Sequence, residues 1–281
     1  MEKRILLFLL LLCPVSMFAQ GGGIIVLPKR VVFEGTTRTV KLNIANTSKD
    51  TVKYIASIID MKMKEDGTYV RTNTIDSSQK TATAHLRLYP KSIYLGPNET
   101  QTVSVQLLNA SKMQPGEYRS HVLFDIEPDS SELRPLPKKL VTNLKLKLIP
   151  IFYLTIPVIV RIGQNNTKVS IPSAKIGFTP GDSIPQVSTI IYREGNMSAY
   201  GDITVSYISP EKKTINVARV RGIAIYESNT SRALTIPLDQ THKINYHTGS
   251  IRISYDTQED KPKEMASLVK DIAEMEKMDT N

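Results

Sequence analysis

The chain has 281 residues, with 36 Lys and Arg against 27 Asp and Glu, for a net charge of +9. Its basic residues are spread along the chain, no basic run is interleaved with aromatics and tryptophan is absent, which argues against nucleic-acid binding and leaves only a general attraction to acidic surfaces. A single cysteine excludes an intramolecular disulfide framework, so the fold has to be held by its core alone.

Lys3 and Arg4 open the chain, an apolar run from Ile5 to Leu12 follows, and a short stretch ends at Ala19. This order reads as a secretory signal peptide over residues 1–19, cut before Gln20. The run is too short for a permanent membrane span. Leu12 is a poor fit for the position before a lipidated cysteine, which argues against Cys13 as a lipid anchor. Cleavage would remove Glu2, Lys3, Arg4 and Cys13, leaving a cysteine-free chain of charge +8. The expected location is therefore the periplasm. Gly21, Gly22 and Gly23 precede no helical pattern and read as a flexible arm.

The body that follows is strand-like throughout. Apolar and alternating segments at 31–33, 39–44, 52–59, 86–89, 93–95, 102–107 and 118–126 are separated by turn signals such as Glu34-Gly35, Asp66-Gly67 and Gly96-Pro97. About seven short strands with turns every 8–12 residues indicate an immunoglobulin-like sandwich. A polar loop with Pro128, Pro135 and Pro137 leads into the stretch NLKLKLIPIF, residues 143–152. There Leu144, Leu146 and Leu148 alternate with Lys145 and Lys147, and an almost wholly apolar run extends to Val160. Alternation marks a strand with one wet face, and a continuous apolar run marks one covered on both. Two explanations stand side by side on the residues alone. The row can be an edge strand whose lysines keep it soluble, or its leucines can serve another chain.

Gly163 to Thr167 is a polar joint. Beyond it, strand patterns at 168–171, 187–192, 203–208, 215–220, 223–226, 233–238 and 250–255 predict a second sandwich. Residues 263–278 carry Met265, Leu268, Val269, Ile272 and Met275 at helical spacing, which predicts an amphipathic helix or a charged tail. The expected fold class is all-β: two immunoglobulin-like β-sandwich domains with a short C-terminal helix or tail. The expected division is 1–19 signal peptide, 20–162 first domain, 163–258 second domain and 259–281 tail.

Little in the sequence points to catalysis. His85, His121, His242 and His247 lie in no metal-binding spacing and read as solvated or packed side chains. No G-x-S-x-G, H-E-x-x-H or phosphate-cradling glycine loop occurs. No enzyme activity, metal or cofactor is therefore expected.

Several segments, in order, resemble the PapD-like periplasmic pilus chaperones. The first is Arg30-Val31-Val32-Phe33-Glu34-Gly35 with the alternating strand to Ile44 and Asn46. Next come Tyr89-Pro90 through Gly96-Pro97 with Gln101-Thr102-Val103. Gly116-Glu117-Tyr118-Arg119 with Ile126-Glu127-Pro128 follows, and then Leu154-Thr155-Ile156-Pro157-Val158-Ile159-Val160. The resemblance covers about residues 24–161, and the second half is only weakly similar. It implies a protein that binds exported, pilin-like subunits lacking one strand, and fills the gap with its own seventh strand. Leu144, Leu146 and Leu148 would enter the subunit's groove, with the lysines facing away. Arg30 would anchor the subunit's terminal carboxylate. The family's second anchor, a Lys on the seventh strand, has no counterpart; Lys147 and Arg161 lie on that strand but out of register. The alternative is a structural or interaction module of a surface or secretion assembly that donates no strand.

Overall fold

A computed structural model describes residues 23–72, 79–127, 153–178, 184–242 and 244–276. The expected signal peptide, Pro128, Pro135 and Pro137, and Leu144, Leu146, Lys147 and Leu148 lie outside the described residues.

Among the described residues eleven strands make the first half: β1 (Ile24–Leu27), β2 (Val31–Phe33), β3 (Thr39–Asn46), β4 (Val52–Ile59), β5 (Met61–Met63), β6 (Tyr69–Arg71), β7 (Leu86–Tyr89), β8 (Ser92–Leu95), β9 (Thr100–Leu107), β10 (Gly116–Ile126) and β11 (Tyr153–Ile162). One sheet has the order β1-β3-β9-β7, the other β2-β11-β10-β4-β8. The chain passes from the first to the second between β1 and β2, at Pro28. Strands β5 and β6 stand apart as a hairpin of their own.

The alternation read from the sequence is what packs the two sheets. Leu42, Ile44, Val103 and Val105 point inward from one sheet to meet Val122, Phe124, Ile156, Val158 and Val160 from the other. Each such side chain contributes about 1.5–3 kcal/mol on burial. Asn46 is fully buried at the end of β3. Its amide donates to the carbonyls of Asp50, Leu95 and Gly96 and its oxygen accepts from Ser48. A buried amide with all these partners costs nothing in unmet hydrogen bonds and ties the β3–β4 turn to β8.

The second half contains β12 (Lys168–Ser170), β13 (Ala174–Phe178), β14 (Pro185–Glu194), β15 (Ala199–Ile208), β16 (Thr214–Ile225), β17 (Ser231–Pro237), β18 (Ser250–Thr257), β19 (Glu264–Asp271) and α1 (Ile272–Glu276). Strands β12 and β13 share one edge of β14 and β17 takes the other; the facing sheet has the order β16-β15-β18-β19. Val187, Ile191, Ile203, Val205, Ile251 and Ile253 fill a core separate from the first.

Two expectations are corrected here. The segments at 215–220 and 223–226 are one continuous strand, β16. Gly222 lies at a bulge between them, with φ of +70° and its N–H donating to Asp202 Oδ1 at 3.0 Å. Where a helix or tail is expected over 263–278, residues 264–271 form β19 along the edge of β18, and of the described residues there only Ile272–Glu276 is helical. An isolated helix of that length is marginal in water, whereas the open edge of β18 offers a partner for each backbone group. Strand β13 and the β5–β6 hairpin, too short and mixed in composition to read from pattern, are additional. Among the described residues no helix is long and apolar enough to cross a membrane.

Candidate functional site: the cleft beside Arg30

Strand β2 turns Val31 and Phe33 into the core, so alternation sends Arg30 and Val32 to the other face of the sheet. On that face β10 presents Glu117, Arg119 and His121, and β11 presents Arg161, which stands directly opposite Glu117. The start of β15, with Ser198 and Tyr200, closes over this surface. A cleft of about 770 Å³ lies between the two halves, lined among others by Arg30, Glu34, Arg161, Lys168, Tyr200 and Met265.

Glu117 is the hub. Its side chain is 1% exposed. It accepts from Arg119 Nη2 at 2.6 Å, Arg161 Nε at 3.2 Å, and the Ser198 N–H and hydroxyl at 3.1 and 2.7 Å. Burial pushes its carboxyl up, but Arg119, the Ser198 hydroxyl and Arg161 outweigh that and hold it below the usual carboxylate range. Arg119 also donates to Ser198 Oγ at 2.9 Å and lies 3.6 Å above the ring of Tyr226. This cluster joins the two halves by charge-assisted hydrogen bonds, which are stronger than neutral ones.

Arg30 is compensated less, because Tyr200 and Glu117, which favour its charge, are outweighed. Its guanidinium carbon sits 3.8 Å from the centroid of Tyr200, and among the described residues its buried Nε has no hydrogen-bond partner. Burial, then Arg119 and Arg161, lower its pKa to about 10. The cleft is therefore short of negative charge at this point, and an anionic group placed there would relieve both the repulsion and the orphaned donor.

Of the residues singled out in the sequence, Arg30 is placed in this cleft. Arg161, read as out of register, stands on β11 and lines the same cleft. Glu117, Arg119, Ser198 and Tyr200 were not anticipated as a group; only the Glu117–Arg119 spacing, which puts both on one face of a strand, is visible in the sequence. The histidines fall elsewhere. His121 is buried beside Tyr226 at 3.4 Å. His85 lies edge-on to Tyr118, His242 pairs with Asp239 at 2.6 Å and His247 lies against Phe178. Among the described residues no group of three His, Cys, Asp or Glu is placed to hold a metal ion.

No family model matches the sequence, and no curated protein matches it. Solved structures do. The chain is similar to the class 5 fimbriae chaperone CfaA, with 12% identity, 89% of this chain and 98% of that chain covered, and a TM-score of 0.44. It is similar to the CupB2 chaperone of Pseudomonas aeruginosa, with 14% identity over 88% of this chain and 99% of that chain, at 0.42. It is also similar to a chain of the CsuC–CsuE chaperone–tip adhesion subunit complex from the Csu pili of Acinetobacter baumannii, with 11% identity over 87% of this chain and 98% of that chain, at 0.45. Each of these three is a chaperone or a complex containing one.

Proposed function

We propose that this protein is a non-enzymatic assembly chaperone of the periplasm, exported by the signal peptide over residues 1–19, that binds pilin-like subunits by lending them the strand leading into β11. Two domains, 20–162 and a second beginning at 163, would flank the subunit's end in the cleft. The observation that carries the reading is the open edge of β11. Strand β2 pairs only with Val158–Val160, and among the described residues no strand pairs with 153–157 on that side. An unpaired edge is what β-augmentation uses: backbone hydrogen bonds bind, and alternate side chains fit pockets.

Parity supports the same reading. Leu154, Ile156 and Val158 face the core between the sheets, and counting back in twos from Leu154 reaches Leu148, Leu146 and Leu144. A subunit lying along this edge would extend the chaperone's core with that row, and three buried leucines contribute about 1.5–3 kcal/mol each before ordering costs. The subunit's terminal carboxylate would reach Arg30, with Arg161 as the second cation in place of a seventh-strand lysine.

The test is Leu146→Glu. On this reading the fold should stay intact, because the row serves the subunit and not the protein's own core. Recovery of exported subunits in a periplasmic pull-down should be abolished, because a charge enters an apolar groove unpaired. Unfolding of the variant, or unchanged recovery of the same subunits, overturns strand donation and leaves an interaction module of a surface assembly.

A further inference from the structure

The β5–β6 hairpin belongs to neither sandwich. Among the described residues its two strands pair only with each other, yet it reaches across to the second half at several points. Met63 is 1% exposed and packs on Ala224, Tyr226 and Tyr200 rather than on the core of its own half. The Met63 carbonyl accepts from Asn229 Nδ2 at 3.1 Å. The Glu65 carbonyl accepts from the Ala233 N–H at 3.0 Å, and its carboxylate accepts from Ser231 at 2.6 Å. At the tip, Gly67 has φ of +84°, and a Cβ there would lie 2.3 Å from Arg232 Nη2. The positive φ is what favours glycine at this tip. Arg232 Nη1 in turn donates to the Ala224 carbonyl at 2.6 Å. Tyr69 completes the contact against Tyr226 and His121.

We infer that this hairpin is a strut that sets the angle between the two sandwiches, and so the width of the cleft beside Arg30. The Glu117–Ser198 cluster by itself is one patch, about which two rigid bodies can pivot. The hairpin adds a second arm on different residues of the second half, 229–233, and one of its bonds is backbone to backbone, whose direction no side-chain rotation can change. The two attachments meet at Tyr226, but the bonds to Ser198 and to 229–233 lie apart and together remove the pivot. Tyr200, which stacks on Arg30, also packs against the apolar cluster of Met63, Ala224 and Tyr226, so the hairpin and the cleft wall share one cluster.

The inference about angle stands on the contacts alone; its consequence for subunit binding rests on the chaperone reading. The experiment replaces residues 61–71 by a Gly-Gly link. Asp60 and Thr72 are already joined by a backbone hydrogen bond of 3.1 Å, so the ends meet. Spin labels at Lys41→Cys and Glu211→Cys, one exposed site in each half, in a Cys13→Ala background, report the distance between the halves by pulsed electron resonance. The parent should give one narrow distribution, and the shortened protein one at least about twice as broad, with its strand signal by circular dichroism retained. An unchanged width overturns the strut. If the shortened chain does not fold, the double variant Met63→Ala, Asn229→Ala decides on the same two outcomes. Failure of the chaperone reading is distinguishable, since it shows as absent subunit binding in the parent and leaves the distance measurement as it is.

Discussion

Replacing Glu117 by Ala would leave the Arg119 guanidinium, whose side chain is only 7% exposed, without its carboxylate, and Ser198 and Arg161 without their acceptor. Breaking one side of a buried pair costs about 3–5 kcal/mol, so thermal melts of Glu117→Ala should show a large loss of stability. Arg30→Ala should behave in the opposite way. It removes a half-buried cation whose charge is disfavoured on balance, together with one cation–π contact of about 0.5–2 kcal/mol, so folding should change little. On the chaperone reading, subunit affinity should fall about tenfold to a hundredfold, the equivalent of one charge-assisted hydrogen bond of about 1.5–3 kcal/mol, which titration of a purified subunit would measure. His121 governs acid behaviour. Burial, then Arg119, lowers its pKa from 6.5 to about 3, so below pH 6.5 the unfolded chain takes up a proton that the folded chain refuses. Stability is then complete above that pH and declines as pH falls toward 3, with a slope on the order of 1 kcal/mol per pH unit. Glu117, with its lowered pKa, adds a loss of the same sign below about pH 4.5. Denaturant melts between pH 6.5 and 4.5 should therefore be steeply pH-dependent, and His121→Phe, which keeps a ring against Tyr69 and Tyr226, should flatten them.

At the scale of elements, the C-terminal segment separates pattern from environment. Met265, Leu268, Val269, Ile272 and Met275 satisfy helical spacing, yet from Ala266 onward the half-buried residues are Ala266, Leu268 and Lys270, a period of two. Strand β18 pairs with β15 on one side and would otherwise present a bare edge on the other, so tertiary pairing overrides a helical preference that is only a fraction of a kcal/mol per residue. Ile272 and Met275 are fully buried beyond it. Ending the chain after Pro262 should therefore lower the melting temperature markedly, with about 3–6 kcal/mol lost from those two side chains alone; a loosely held tail would leave it unchanged. Seven of the strands in the first half were legible because their core faces alternate cleanly. The β5–β6 hairpin was not, because Met61, Met63 and Tyr69 serve a surface that belongs to a distant part of the chain.

For the molecule as a whole, stability rests on two cores and the junction between them. The lone cysteine, Cys13, cannot form an intramolecular disulfide, so unfolding should be indifferent to dithiothreitol. A melting temperature that falls on adding reductant would show a disulfide between chains. The junction couples the halves through Glu117–Ser198 and through Met63, Glu65 and Tyr69, with charge-assisted bonds at one attachment and a backbone bond at the other.

The all-β class, the sandwich pattern and the absence of disulfides followed from the amino-acid sequence itself, because alternation of apolar side chains is a local property that any observer of the chain can count. The same holds for Arg30 as a cation beside the first core strand. What the tertiary structure decided is everything that depends on residues far apart meeting: Glu117 with Ser198, Arg30 with Tyr200, Met63 with Tyr226, and β19 with β18. These contacts draw on charge, ring faces and free backbone edges, none of which has a period along the sequence, so only the folded chain shows which of them are satisfied and which, like the Nε of Arg30, are left open.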